Sequence, residues 1–198
     1  MNRKMELALS LALFVQLSGS SAGAQPDIPT PDECRVVPRP QSDLLAQMSS
    51  LPSTSETSNA PELVYGQTVS EEIQEGISAT FRELIACNNA GDLQRMFSLY
   101  SNRLLARLDA EDAGLESKPH PLPIAERTIY IGVLSFYPLS DGRIGAIVCY
   151  HDPRVAAPAE AFFWIFVESD DRWLWDEFPD PYYTEVIVNG EQQPIDDQ

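Results

Sequence analysis

An α+β fold is predicted for this 198-residue sequence by three observations. Apolar residues recur at helical spacing from about residue 68 to 113. Runs rich in β-branched and aromatic residues then fill 127–178. Turn signals, foremost Ser140-Asp141-Gly142, divide those runs at hairpin spacing. Helices followed by an antiparallel meander place the helices on one face of a curved sheet. The apolar share, 43%, supports one core, and the length suits one ordinary domain with accessory segments.

Taken in order, residues 1–24 read as a secretory leader. Arg3 and Lys4 form a positive flank, Leu7–Leu17 a short apolar run, and Ala22-Gly23-Ala24 a small-x-small site ahead of cleavage before Gln25. The run is shorter than the roughly 20 residues that cross a bilayer. A secreted or extracytoplasmic protein with no membrane segment in its mature form is therefore expected. Residues 25–67 form a Pro- and Ser-rich arm, since proline fixes φ and removes a donor. Within it Ser42 caps a short helix near 43–48 with an apolar side.

A long helix is predicted over 68–90, opened by a Thr68/Glu71 capping box and striped by Ile73, Ile77, Phe81, Leu84 and Ile85. Gly91 stops it. Asp92 caps a second helix with Leu93, Met96, Phe97 and Tyr100, and a third spans about 102–113. Four strands follow at about 127–137, 143–151, 159–168 and 172–178. The third is apolar on both faces, through Phe162, Phe163, Trp164, Ile165 and Phe166, and so belongs in the middle of the sheet. Residues 179–198 read as an acidic tail, in which Val186-Ile187-Val188 adds an edge strand.

Several of these stretches resemble a known family. Cys87-Asn88-Asn89-Ala90-Gly91-Asp92-Leu93, then Phe97-Ser98-Leu99-Tyr100-Ser101, looks like the helix-turn signature of nuclear-transport-factor-2-like (SnoaL-like) domains. Asp171-Arg172-Trp173-Leu174-Trp175-Asp176-Glu177 resembles that family's closing strand. Leu139-Ser140-Asp141-Gly142-Arg143 sits where such domains turn a hairpin. The resemblance covers about 68–178; the leader, the arm and this domain together resemble uncharacterised exported bacterial members. It implies a cone-like antiparallel sheet wrapped around N-terminal helices, a cystatin-like roll, with a pocket between them. Members include isomerases, dehydratases, cyclases and hydrolases as well as proteins without chemistry, so fold does not deliver function.

Two function classes follow. A non-catalytic domain would bind a small apolar or aromatic ligand in a pocket lined by Phe81, Phe97, Tyr100, Trp164 and Trp175, or would act in protein interaction, with a homodimer through the aromatic sheet. If those side chains fill the cone, no cavity is left. The alternative is an isomerase, dehydratase or hydrolase using a pocket carboxylate as general acid/base. Strict alternation, with the family's pattern, turns Trp175 and Glu177 into the cone, making Glu177 the acid and Asp176 the fallback if the register is reversed. Tyr100 and Tyr130 are the candidate donors to a developing oxyanion. His120, between prolines, and His151, at a strand end, lack metal spacing.

Composition narrows the partners. The formal charge is −17, and −18 without residues 1–24, which repels phosphate backbones and excludes the usual nucleic-acid binders. No cofactor and no metal site is implied, because no CxxC or Cys/His cluster exists. Of three cysteines, Cys34 and Cys87 pair to staple the arm to the first helix, or else all three, Cys149 included, remain buried thiols.

Overall fold

The computed structural model describes residues 26–50, 62–155 and 159–178, and the backbone of two further strands at 185–188 and 191–194. The leader at 1–24 and the arm's 51–61 stretch lie outside the described residues. Helices α1 (Gln41–Met48), α2 (Glu71–Ala90), α3 (Leu93–Ser98) and α4 (Asn102–Leu105) precede strands β1 (Ile129–Pro138), β2 (Ile144–His151), β3 (Glu160–Ser169) and β4 (Arg172–Glu177). The strands form an open antiparallel sheet in the order β1-β2-β3-β4. The α+β class therefore stands.

Local chemistry explains most boundaries. The cap of α2 is Ser70, whose hydroxyl accepts from Ile73 N–H, and not Thr68. Gly91 ends α2 in the left-handed region at φ 61°. A Cβ there would fall 2.3 Å from the His120 carbonyl oxygen, so the 114–128 loop can cross this helix end only over glycine. Asp92 and Ser101 cap α3 and α4 through their side chains. The third predicted helix is cut to one turn: Leu104 and Leu105 are buried within it, whereas Ala113 and Leu115 are buried from turns. The β3–β4 connection is a two-residue turn, Asp170-Asp171, both at positive φ, as a primed hairpin turn requires.

The stripe of α2 packs across one side of the sheet. Ile77 and Phe81 are fully buried there, with Ala146, Val148, Trp164 and Phe166 from the strands beneath. Extra residues at Ile131 and Leu134 make two bulges in β1, which bend and twist that strand. The Val186-Ile187-Val188 stretch does not extend this sheet. It lies in β5 (Glu185–Val188), which pairs with β6 (Glu191–Pro194) as a separate hairpin, so strand rather than tail structure occupies part of 179–198.

The arm is docked. Cys34 and Cys87 form a disulfide, with S–S 2.04 Å. Asn89, fully buried, donates to the Pro29 and Thr128 carbonyls and accepts from Thr128 N–H, tying arm, helix and β1 together. Gln94 and Ser98 of α3 bind the Arg39 carbonyl and N–H. The arm also bridges the free edge of β1, where Tyr130 N–H donates to Asp27.

Candidate functional site

The five side chains expected to line a pocket form one chain of ring contacts. Phe97 meets Tyr100 at 5.2 Å between centroids, Tyr100 meets Trp175 at 4.9 Å, Trp175 stacks on Trp164 at 3.8 Å, and Trp164 meets Phe81 edge-on at 5.3 Å. Four of the five are buried; Trp175 is half-buried. Each ring in this series packs directly on the next. Edge-to-face and offset-stacked pairs of this kind contribute roughly 0.5–1.5 kcal/mol each beyond their burial. Tyr150, not singled out from the sequence, joins the cluster against Phe81, Trp164 and Phe162. Simple alternation along β2 from Val148 would have found it.

The phenols are poor acids here. Burial pushes Tyr100 well above its ordinary value, and the neighbouring Tyr150 adds to the shift. Tyr130 lies at the other end of the cluster, 5.3 Å from Phe81, with the Arg82 guanidinium 5.4 Å from its ring centre. Its burial raises the phenol, against the opposing charge of Arg82. Both phenols are thus protonated donors at neutral pH.

The acid pair departs from strict alternation. In the β3–β4 ladder Trp175 pairs with Phe166, but Glu177 pairs with Ile165, leaving Asp176 as an extra residue. Asp176 and Glu177 together oppose Ile165, so both carboxylates stand on the side of the sheet turned away from α2 and the ring cluster. Glu177 therefore does not share the face of Trp175, which is a correction to the reading from alternation. The bulge delivers both acids to one guanidinium: Arg143 Nη1 lies 2.7 Å from Asp176 and 2.9 Å from Glu177, and Arg143 also binds Asp141. Ser101 donates to Asp176, and Arg103 and Arg107 hold Glu177 at 3.1 and 3.3 Å. Burial opposes the Arg143 charge, but its bonds to Asp141, Asp176 and Glu177 outweigh that and hold the guanidinium's pKa above its ordinary value. Both oxygens of each carboxylate are engaged: Asp176 by Ser101 and Arg143, and Glu177 by Arg107, Arg103 and Arg143. Arg143 carried no signal of its own in the sequence, where it reads as the residue after a hairpin turn.

The remaining candidates lie elsewhere. His120 sits in the loop over Gly91. His151 ends β2; its Nδ1 is buried without a hydrogen-bond partner among the described residues. Cys149 is a free, half-buried thiol, raised by burial. No cluster of His, Cys, Asp and Glu able to hold a metal is found among the described residues, and no described helix is long and apolar enough to cross a membrane. Compared with protein-family models, curated proteins and solved structures, the chain matches none.

Proposed function

We propose that this chain is an exported, nuclear-transport-factor-2-like domain without catalytic activity, acting through protein contact at the sheet face turned away from α2, with a second copy as its partner. The observation that carries the reading is the contrast between the two faces. Toward α2, the rings pack on one another. On the other face Tyr137, Ile147, Phe163, Val167 and Leu174 are only half-buried, and Leu134 and Ile131 of β1 are 61% and 47% exposed. An apolar surface of this kind is characteristic of interaction sites. The tip of the Phe163 ring sits over Gly145, leaving no room for a Cβ there, and the ring lies 6.0 Å from Tyr137. The same face on a second copy could meet it in an isologous contact. The bulged β1 favours a sheet curved around α2, the cone of the family resemblance. The leader-like residues 1–24 and a buried disulfide favour an oxidising, extracytoplasmic location.

The engagement of Asp176 and Glu177 by three arginines, on the face away from the rings, weighs against acid/base chemistry. Sedimentation equilibrium of the mature chain tests the proposal. A dimer at tens of micromolar is expected, with Phe163→Glu monomeric and unchanged in far-UV circular dichroism. A wild-type monomer throughout that range sinks the reading. Small-ligand binding remains a second reading on one observation: Tyr150, Phe162 and Trp175 are half-buried, so the ring cluster reaches the surface.

A further inference from the structure

Where the arm crosses α2, a groove of about 520 Å³ opens between Glu33, Arg35, Val36 and Val37 of the arm, Ala79, Arg82 and Glu83 of α2, and Arg172 at the start of β4. The hydrogen-bonding balance of this groove is lopsided. Its two carboxylates are engaged: Glu33 accepts from Arg82 and from Thr30 N–H, and Glu83 accepts from Arg35 N–H and from Arg172. Arg82 commits Nε to Glu33 and both terminal nitrogens to Asp27. Two guanidinium groups keep unused donors. Arg172 gives one terminal nitrogen to Glu83, and Arg35 gives Nε to the Asp32 carbonyl; among the described residues no carboxylate lies within 4.0 Å of the Arg35 guanidinium. A guanidinium carries five donors and no acceptor, so the groove offers N–H groups in excess of oxygens. The exposed Ala79 and the 83%-exposed Val37 supply apolar surface beside them, over the buried Val36.

We infer that this groove is a binding site for a small carboxylate with a short apolar chain, its carboxylate taken by Arg35 and Arg172 and its chain laid on Val37 and Ala79. The class follows from the donors: a planar carboxylate accepts two parallel N–H bonds from a guanidinium fork, and such charge-assisted bonds are the strong ones. The chain's overall acidity opposes anions at long range, but the Debye length is about 10 Å at 0.1 M salt, so the local donors decide the outcome there.

The probe is hexanoate, titrated into the ¹⁵N-labelled mature chain at 0.1 M salt, with acetate, inorganic sulfate and hexanol as comparisons. Saturable shifts are expected at the Arg35 and Arg172 Nε–H and at the amides of Val37 and Ala79, with a Kd on the order of 1 mM. Arg35→Ala keeps the backbone N–H bond to Glu83, and its fold is checked by the undisturbed remainder of the spectrum. It should weaken hexanoate about tenfold, as loss of a charge-assisted bond worth about 1.5 kcal/mol implies. Acetate and hexanol should each bind several-fold more weakly than hexanoate. Absence of saturable shifts, equal binding of hexanoate by Arg35→Ala, or hexanol matching hexanoate would each overturn the site. Sulfate binding as tightly as hexanoate would overturn the ligand class.

Discussion

Removing the Arg143 guanidinium should be among the most damaging single changes in this domain. Its side chain is 10% exposed, and it holds Asp176, 6% exposed, at 2.7 Å. In Arg143→Ala, Glu177 keeps Arg103 and Arg107, whereas Asp176 keeps only the Ser101 hydroxyl among the described residues. Breaking a buried pair by deleting one partner costs about 3–5 kcal/mol, because a charge is left without compensation. The slight exposure of Arg143 and the surviving Ser101 bond place the expected loss near the lower end, about 3 kcal/mol. At about 2–4 °C per kcal/mol for a chain of this size, the melting temperature should fall by roughly 6–12 °C. The assay is urea denaturation followed by tryptophan fluorescence, with Asp176→Asn measured alone and combined with Arg143→Ala. Neutralising the stranded carboxylate should return about half of the loss, a coupling of at least about 1 kcal/mol. A loss under about 1 kcal/mol, or strictly additive single changes, would refute the reasoning that the bulge places a buried charge on this arginine.

Other consequences can be checked in the same way. Replacing Cys34 and Cys87 by serine opens a 53-residue separation, and the chain-entropy relation puts the loss at about 4 kcal/mol, measured as a shift in the urea midpoint. Asn89→Ala leaves Thr128 N–H and two carbonyls without partners, so a loss of about 2–3 kcal/mol is expected, with faster amide exchange at Thr128 and Tyr130. The pH dependence has a definite sign. The side-chain bond from Arg82 holds the Glu33 carboxyl below its ordinary 4.5, despite some desolvation. Asp141, although burial pushes it up, is held below 3.8 by Arg143. Folded-state pKa values below the unfolded ones stabilise fully above the unfolded values and cease to do so as pH falls through the folded values. Stability should therefore be flat near neutrality and decline below about pH 4.5, and Glu33→Gln should make that acid limb shallower.

Periodicity carried much of the architecture. The stripe Ile73–Ile85, the stop at Gly91, the cap at Asp92 and the Asp-Gly hairpin are local features, and each is readable from residues adjacent in sequence. Helix α4 was less legible, since Leu108, Ala113 and Leu115 continue an apolar spacing that turns can also bury. The acid site was the least legible part. One inserted residue at Asp176 moves Glu177 to the opposite face, and a bulge leaves no mark in an alternating Trp-Leu-Trp-Asp-Glu run. Arg143 then finds its partners 33 and 34 residues away, through pairing across β3 that no neighbouring residue announces. The Asn-Asn-Ala-Gly-Asp stretch, which resembles a family signature, serves structure in this chain. Asn89 joins three segments, Gly91 admits the crossing loop and Asp92 caps α3.

The rings between α2 and the sheet offer the most direct measurement. A nuclear Overhauser spectrum of the chain from Gln25 onward should show an unbroken series from Phe97 through Tyr100, Trp175 and Trp164 to Phe81, with no water contact at Tyr100 or Trp164. Missing Tyr100–Trp175 and Trp164–Trp175 contacts, with water or solute contacts in their place, would mean an open pocket and would contradict a domain that works only at its surface.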